Sequence, residues 1–267
     1  MINDSDLERI QKIQAERWFS HPYAMNILKE LELVYHQPKI SGAAIGRSII
    51  GRSGAGKTTI LKHFINEHSQ DGKCPPLFIE APSWPSLTDL LSAILEEVND
   101  FKPTARTAKD KSERIIRIFK EIKPSMIIID EAQNFAEGTS KQSRSCINEI
   151  KKITNTTSTP TILAGTDELY PVIQIADQYT RRWRPIKLES YPEGQDFVYL
   201  VNAFLADVDL KKQKGFLAPT AYSAIYKYSG GVVGLIKEVL INATTNAIED
   251  GSEKISVKHI RPILDVD

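Results

Sequence analysis

The sequence predicts an α/β protein: a parallel five-stranded sheet between helices, followed by a small C-terminal α-helical lid. Three observations carry that expectation. Short apolar runs alternate with amphipathic helical stretches from Ile45 to Leu188, the pattern of parallel strands joined by crossover helices. The first of these runs leads into a glycine-rich turn that opens a helix. Beyond Tyr191-Pro192 only helical periodicity survives.

The elements follow in order. Residues 1–42 read as an N-terminal helical segment: Ile10, Ile13 and Trp18 share a face, Ile27, Leu28, Leu31 and Val34 follow after Pro22, and Pro38 with Gly42 break the pattern. Residues 43–190 form the α/β core. Its strands are Ile45–Ile50, Leu77–Glu80, Met126–Ile129, Thr161–Ala164 and Ile186–Leu188. Its helices are Thr58–His68, Leu87–Val98, Glu113–Ile122 and Ser145–Ile153. The run Met126–Ile129 is apolar at every position, as befits a strand covered on both faces. Residues 191–267 form the lid, with helices over Asp196–Ala206, Thr220–Tyr228, Leu235–Ile248 and Val257–Leu264.

Composition narrows the class. The chain has 267 residues, 41% hydrophobic and 25% charged, which excludes disorder and rod-like coiled coils. Lys+Arg and Asp+Glu are equal at 34 each, so any nucleic-acid contact must be a local patch. Two cysteines, Cys74 and Cys146, lie far apart without ligand-spaced neighbours, which speaks against a disulfide framework or structural zinc. The N-terminus has no signal-peptide pattern and no apolar run approaches 18 residues. A cytoplasmic protein without a membrane partner is expected.

The strongest motif is Gly51-Arg52-Ser53-Gly54-Ala55-Gly56-Lys57-Thr58, which matches GxxxxGK[ST] between a strand and a helix. Glycines let backbone N–H groups turn inward around a polyphosphate, and the following helix N-terminus adds partial positive charge. Gly51, Ser53, Gly54, Ala55, Gly56, Lys57, Thr58 and Thr59 are therefore the candidate nucleotide-binding residues. Lys57 reaches the outer phosphates, and the Thr58 hydroxyl is a ligand for Mg²⁺.

A second signal ends the buried third strand in Asp130-Glu131. Two carboxylates at a strand's carboxyl end lie where ligands of α/β sheets bind. Asp130 would hold the Mg²⁺ shell, and Glu131 would take a proton from the attacking water. The plain alternative is a pair of solvated charges capping a strand. Thr166, after the fourth strand, reads equally as a contact to the terminal phosphate and as ordinary turn chemistry. Arg181-Arg182-Trp183-Arg184-Pro185 lies between a helix and the last strand, suited to stabilising transferred phosphoryl charge from a neighbour. Its alternative is a solvated basic turn with Trp183 in the core.

A basic stretch separates the second and third strands. From Phe101 to Ser125 there are eight basic residues against three acidic ones. Lys102–Lys111 reads as a loop offering Lys102, Arg106, Thr107, Lys109 and Lys111 to a DNA backbone. The competing reading is the wet face of a helix. Trp18, Phe19, His21 and Pro22 read as a packed junction rather than a base-stacking site.

Taken together, IIGRSGAGKTTILKHF, SMIIIDEAQNF and TILAGTDEL followed by RRWRPIKL resemble the P-loop AAA+ ATPases, in particular the TniB/TnsC-type transposition regulators related to phage Mu B protein. The likeness runs from about Arg17 to the end. It implies an ATP- and Mg²⁺-dependent, sequence-tolerant binder of double-stranded DNA that forms a homo-oligomeric ring or helical filament. Such a protein recruits a transposase and a TniQ-like target-selection protein. By matched position, Lys57, Glu131, Thr166, Arg182 and Arg184 carry over as catalytic residues. Arg182 falls at the arginine finger with Arg184 a second candidate, and Thr58 with Asp130 at the metal. One departure is visible in Ser229–Lys237: Leu235 stands where the family places a lid arginine, and Lys237 is displaced by two. Two other readings compete: a secretion-associated ATPase resembling the ExeA type, and a nucleotide-gated protein–protein switch.

Overall fold

The computed structural model describes residues 4–14, 18–41, 45–69, 74–100, 107–175, 177–206, 208 and 210–260. The chain divides into two compact units. One comprises residues 22–53 and 57–188; the other comprises residues 1–21, 54–56 and 189–267. The N-terminal segment expected over 1–42 is thus shared between them.

The larger unit is built on β1 (Gly46–Gly51), β2 (Leu77–Glu80), β3 (Ile127–Asp130), β4 (Thr161–Gly165) and β5 (Trp183–Leu188). They form the expected parallel five-stranded sheet, in the order β2-β3-β4-β1-β5. Every residue of β3 and β4 is buried, which explains why they are apolar except for Asp130 and Thr161 at their ends. The register pairs Glu80 with Asp130, Ile50 with Gly165 and Gly51 with Leu188. The carboxyl ends of the strands therefore come level along one rim. β5 begins at Trp183 rather than Ile186, because Trp183 is fully buried and Ser48 Oγ donates to its carbonyl at 2.9 Å. Pro185 is tolerated there because β5 is an edge strand.

Helices flank the sheet: α1 (Asp4–Gln14) belongs to the other unit, and α2 (Pro22–Ser41), α3 (Lys57–His68), α4 (Leu87–Glu97), α5 (Ala108–Ile122) and α6 (Ser140–Thr157) to this one. α2 carries on through Pro38, where the sequence suggested a break; a proline in the last turn forfeits one backbone bond without ending the helix. α5 and α6 each start five residues earlier than their apolar spacing indicated. Capping boxes set both starts: Thr107 with Asp110, and Thr139 with Gln142. Two short helices, α7 (Leu169–Gln174) and α8 (Asp177–Arg182), have too few turns to register as periodic. Leu90, Leu91, Ile94, Ile115, Phe119, Ile127, Ile129, Ile147 and Leu163 meet in the core. Each such side chain contributes roughly 1.5–3 kcal/mol by leaving water.

The second unit holds α1, α9 (Gln195–Leu205), α10 (Pro219–Ser229) and α11 (Val233–Glu249). α10 starts with Pro219 and ends at Gly230, whose φ of 54° forms the left-handed cap. The helix expected over Val257–Leu264 is only a 3₁₀ turn at Val257–His259, and 261–264 lie outside the described residues. Arg9 of α1 grips Glu253 with both Nη atoms, at 3.0 and 2.7 Å. Phe19 stacks on Phe204 with centroids 4.7 Å apart, and buried His21 bonds Tyr191 Oη at 3.1 Å. Burial lowers the His21 pKa. Packing, as expected, is what these residues do here.

Candidate nucleotide site

The glycine-rich turn follows β1 directly and runs into α3. Gly54 and Gly56 have φ of 73° and 95°, a region that side-chain-bearing residues rarely adopt. A Cβ at Gly56 would meet nothing within 4 Å, so the turn opens onto free space there. Ala55 is buried while Ser53 and Thr59 are exposed. Lys57 is only 6% exposed, and its Nζ donates to the carbonyls of Gly51 at 2.7 Å and Arg52 at 3.1 Å. The loop thus clasps its own lysine at the root of α3. Burial pushes the Lys57 pKa down, and the charges of Glu131, Asp130 and Asp167 push it back up. Acidic groups at or after the ends of β3 and β4 therefore act electrostatically on the lysine of the glycine-rich loop.

Asp130 closes β3 and is 2% exposed. Its Oδ2 accepts the Thr58 hydroxyl at 2.6 Å, and its Oδ1 accepts the Glu131 backbone N–H at 2.9 Å. A buried carboxylate is costly unless partnered, and both its oxygens are. A hydroxyl and a carboxylate side by side, as in Thr58 and Asp130, are oxygen donors of the kind Mg²⁺ takes together with phosphate and water. Among the described residues no group of three or more His, Cys, Asp or Glu side chains is placed to hold a metal.

Glu131 sits at φ 52°, in the left-handed region. That conformation costs a non-glycine residue about 1–2 kcal/mol, and it turns the chain sharply off β3 into the 3₁₀ turn Ala132–Ala136. Gln133, in that turn, was not singled out by the sequence: its amide donates to the Glu131 carboxylate and accepts the Thr166 N–H at 3.2 Å. No spacing rule calls for an amide two residues after an acid. The Thr166 hydroxyl donates to Glu168 Oε2 at 2.6 Å.

Arg182 ends α8 and is half-buried. Its Nη1 donates to Asn155 Oδ1 of α6 at 2.7 Å, and its guanidinium lies 5.6 Å from the Trp183 ring centroid. Arg182 Nε and Nη2 are buried without an acceptor among the described residues. Burial draws its pKa down, though a guanidinium remains protonated in proteins. Arg184 is exposed on β5, a strand residue rather than part of a turn.

The expected DNA-facing residues separate. Lys102 and Arg106 lie outside the described residues. Thr107 is the N-cap of α5, and its hydroxyl donates to Asp110 at 2.8 Å. Lys109 is exposed in the first helical turn. Lys111 departs from the expectation: it is 3% exposed, on the helix rather than in a loop, and its ammonium bonds Ser92 Oγ at 2.5 Å. Leu235 and Lys237 both lie half-buried near the start of α11. No described helix is long and apolar enough to cross a membrane.

Solved structures share the fold. Aeropyrum pernix ORC2 in ADPNP–ADP complexes superposes with a TM-score of 0.71 at 16% identity, covering 94% of this chain and 70% of that one. Cdc6p from Pyrobaculum aerophilum gives 0.70 at 15%, covering 94% and 69%. Aeropyrum pernix ORC1 in complex with DNA gives 0.64 at 14%, covering 94% and 67%. At these identities the likeness shows a shared fold and nothing finer. No curated protein matches by sequence. The family model described as bacterial TniB protein matches residues 9–193, well over half of the length, and the chain belongs to that family.

Proposed function

We propose that this chain is an ATP-dependent, sequence-tolerant DNA-binding ATPase that assembles on target DNA, recruits a transposase and answers to a target-selection protein. One observation carries the nucleotide part: Lys57, Thr58, Asp130 and Glu131 converge through the 2.6 Å Thr58–Asp130 bond and the carboxylate charges acting on Lys57. Backbone N–H groups of Gly51–Thr59 cradle the phosphates, and Lys57 releases the loop carbonyls to meet them. Thr58 and Asp130 would hold Mg²⁺, which would screen phosphate charge. Glu131 accepts the proton of the attacking water, Thr166 orients it, and Arg182 of an adjacent copy stabilises the transferred group, with Arg184 as second candidate.

The DNA part rests on the family and on the chemistry of Lys102, Arg106 and Lys109. Membership of the TniB family favours transposition, and Aeropyrum pernix ORC1 is described in complex with DNA. The test is binding to a non-specific duplex, followed by anisotropy and electron microscopy, with ATP, a slowly hydrolysed analogue and ADP. Rings or filaments that need ATP, vanish with Lys57→Ala and persist longer with Glu131→Gln are expected. Absence of duplex binding at low salt in every nucleotide state would sink the DNA part and leave a nucleotide-gated protein switch.

A further inference from the structure

We propose that Gln133 is a positioning residue for hydrolysis: its side-chain amide is a strut from the end of β4 to the Glu131 carboxylate, fixing the orientation of the general base. The inference rests on the reading of Glu131 given above.

Gln133 is 9% exposed, in the 3₁₀ turn that follows β3. Its two polar atoms are committed in opposite directions. The carbonyl accepts the backbone N–H of Thr166, so the NH₂ end must be the one that faces Glu131 Oε2. This removes the usual ambiguity over which way a glutamine amide points. The Thr166 backbone cannot move without β4, so the donor presented to Glu131 is as rigid as the sheet. One carboxylate oxygen is thereby tethered, and Oε1 is the oxygen left to receive a proton.

The neighbouring backbone is shaped for the strut. A Cβ at Gly165 would come within 2.6 Å of Gln133 Oε1 and 3.0 Å of Gln133 N. Glycine at 165 is what lets the amide reach β4. Asn134 Nδ2 bonds the Ala81 carbonyl at 3.1 Å, anchoring the same turn to the chain leaving β2. The turn is held on one side by the end of β2 and on the other by β4, and Glu131 is the acidic side chain that the strut meets. A glutamate side chain otherwise has free rotors, and a misplaced base loses rate steeply.

The test uses the full-length protein with Gln133→Ala, Gln133→Met, Glu131→Gln and the Glu131→Gln/Gln133→Ala double variant. Gln133→Met keeps length and volume, so it answers for any variant that fails to fold. In nucleotide-free protein, hydrogen exchange at the Thr166 amide should quicken about 10-fold in both Gln133 variants. Affinity for a fluorescent ATP analogue should change less than about 2-fold, while kcat falls about 10-fold. The double variant should be no slower than Glu131→Gln alone, because a residue acting through Glu131 has nothing left to position. Losses that multiply, an unchanged kcat, or unchanged Thr166 exchange would each overturn the strut. Normal turnover by Glu131→Gln would instead overturn the general-base reading, and the exchange result would stand apart from it.

Discussion

The backbone N–H of Gly234 donates to the carbonyl of Gly54 at 2.9 Å, tying the first turn of α11 to the middle of the glycine-rich loop. A side chain cannot enter that contact: a Cβ at 234 would stand 2.4 Å from the Gly54 oxygen. Gly54 itself has φ 73°, and Val232 Cγ1 is 3.6 Å from where its Cβ would be. Gly234→Ala should therefore distort the loop while leaving the sheet intact. The expected result is nucleotide affinity about 10-fold weaker with a melting temperature lowered by only a few degrees, measured by titration and thermal unfolding. Wild-type affinity would mean the loop tolerates the displacement.

Arg182 offers a test of shared sites. With Nε and Nη2 lacking acceptors, its guanidinium retains hydrogen-bonding capacity that Asn155 does not absorb. Arg182→Ala and Lys57→Ala should each be inactive alone. Mixed in equal amounts they should regain about a quarter of wild-type ATPase, because a Lys57→Ala subunit lends its arginine to a neighbour with an intact loop. No recovery on mixing would place Arg182 outside any neighbour's site.

Duplex binding should depend on a few basic residues. Neutralising Arg106 and Lys109 together should weaken affinity for all sequences alike and lower the slope of log K against log salt by about 2. Lys111→Ala should leave that slope unchanged, since its ammonium is spent on Ser92. An unchanged slope in the double variant would move the DNA contact elsewhere.

The helical unit should loosen in acid. Arg9 holds the Glu253 carboxyl down to a pKa of about 2, with help from the Lys211 N–H at 3.1 Å. A carboxyl with a depressed folded-state pKa contributes stability that is present above its unfolded value, near 4.5, and is lost as pH falls toward 2. Wild-type protein should lose melting temperature across that window, and Glu253→Gln should lose less while starting lower. Equal acid sensitivity in the two would show that other carboxylates dominate.

The alternation of Ile45–Ile50, Met126–Ile129 and Thr161–Ala164 with helical stretches pointed to a parallel sheet, and the all-apolar run Met126–Ile129 to a strand covered on both faces. The GxxxxGK[ST] turn and Asp130-Glu131 were equally plain, since each is local chemistry carried by adjacent residues. Helix starts were misjudged at α5 and α6 because apolar spacing says nothing of a capping box one turn earlier. Charge in the sequence does not reveal that Lys111 finds an internal hydroxyl in Ser92.

The sequence by itself determined the sheet class and the family, which follow from periodicity and short contiguous motifs. Only the tertiary structure decided which distant groups make contact. Thr58 bonds Asp130 across 72 residues, Gln133 spans from Glu131 to Thr166, Arg182 rests on Asn155, and Gly234 closes on Gly54. The reason is physical. A motif is read along the chain, whereas a hydrogen bond is satisfied in space, and only the packed fold settles which partner each buried polar atom obtains.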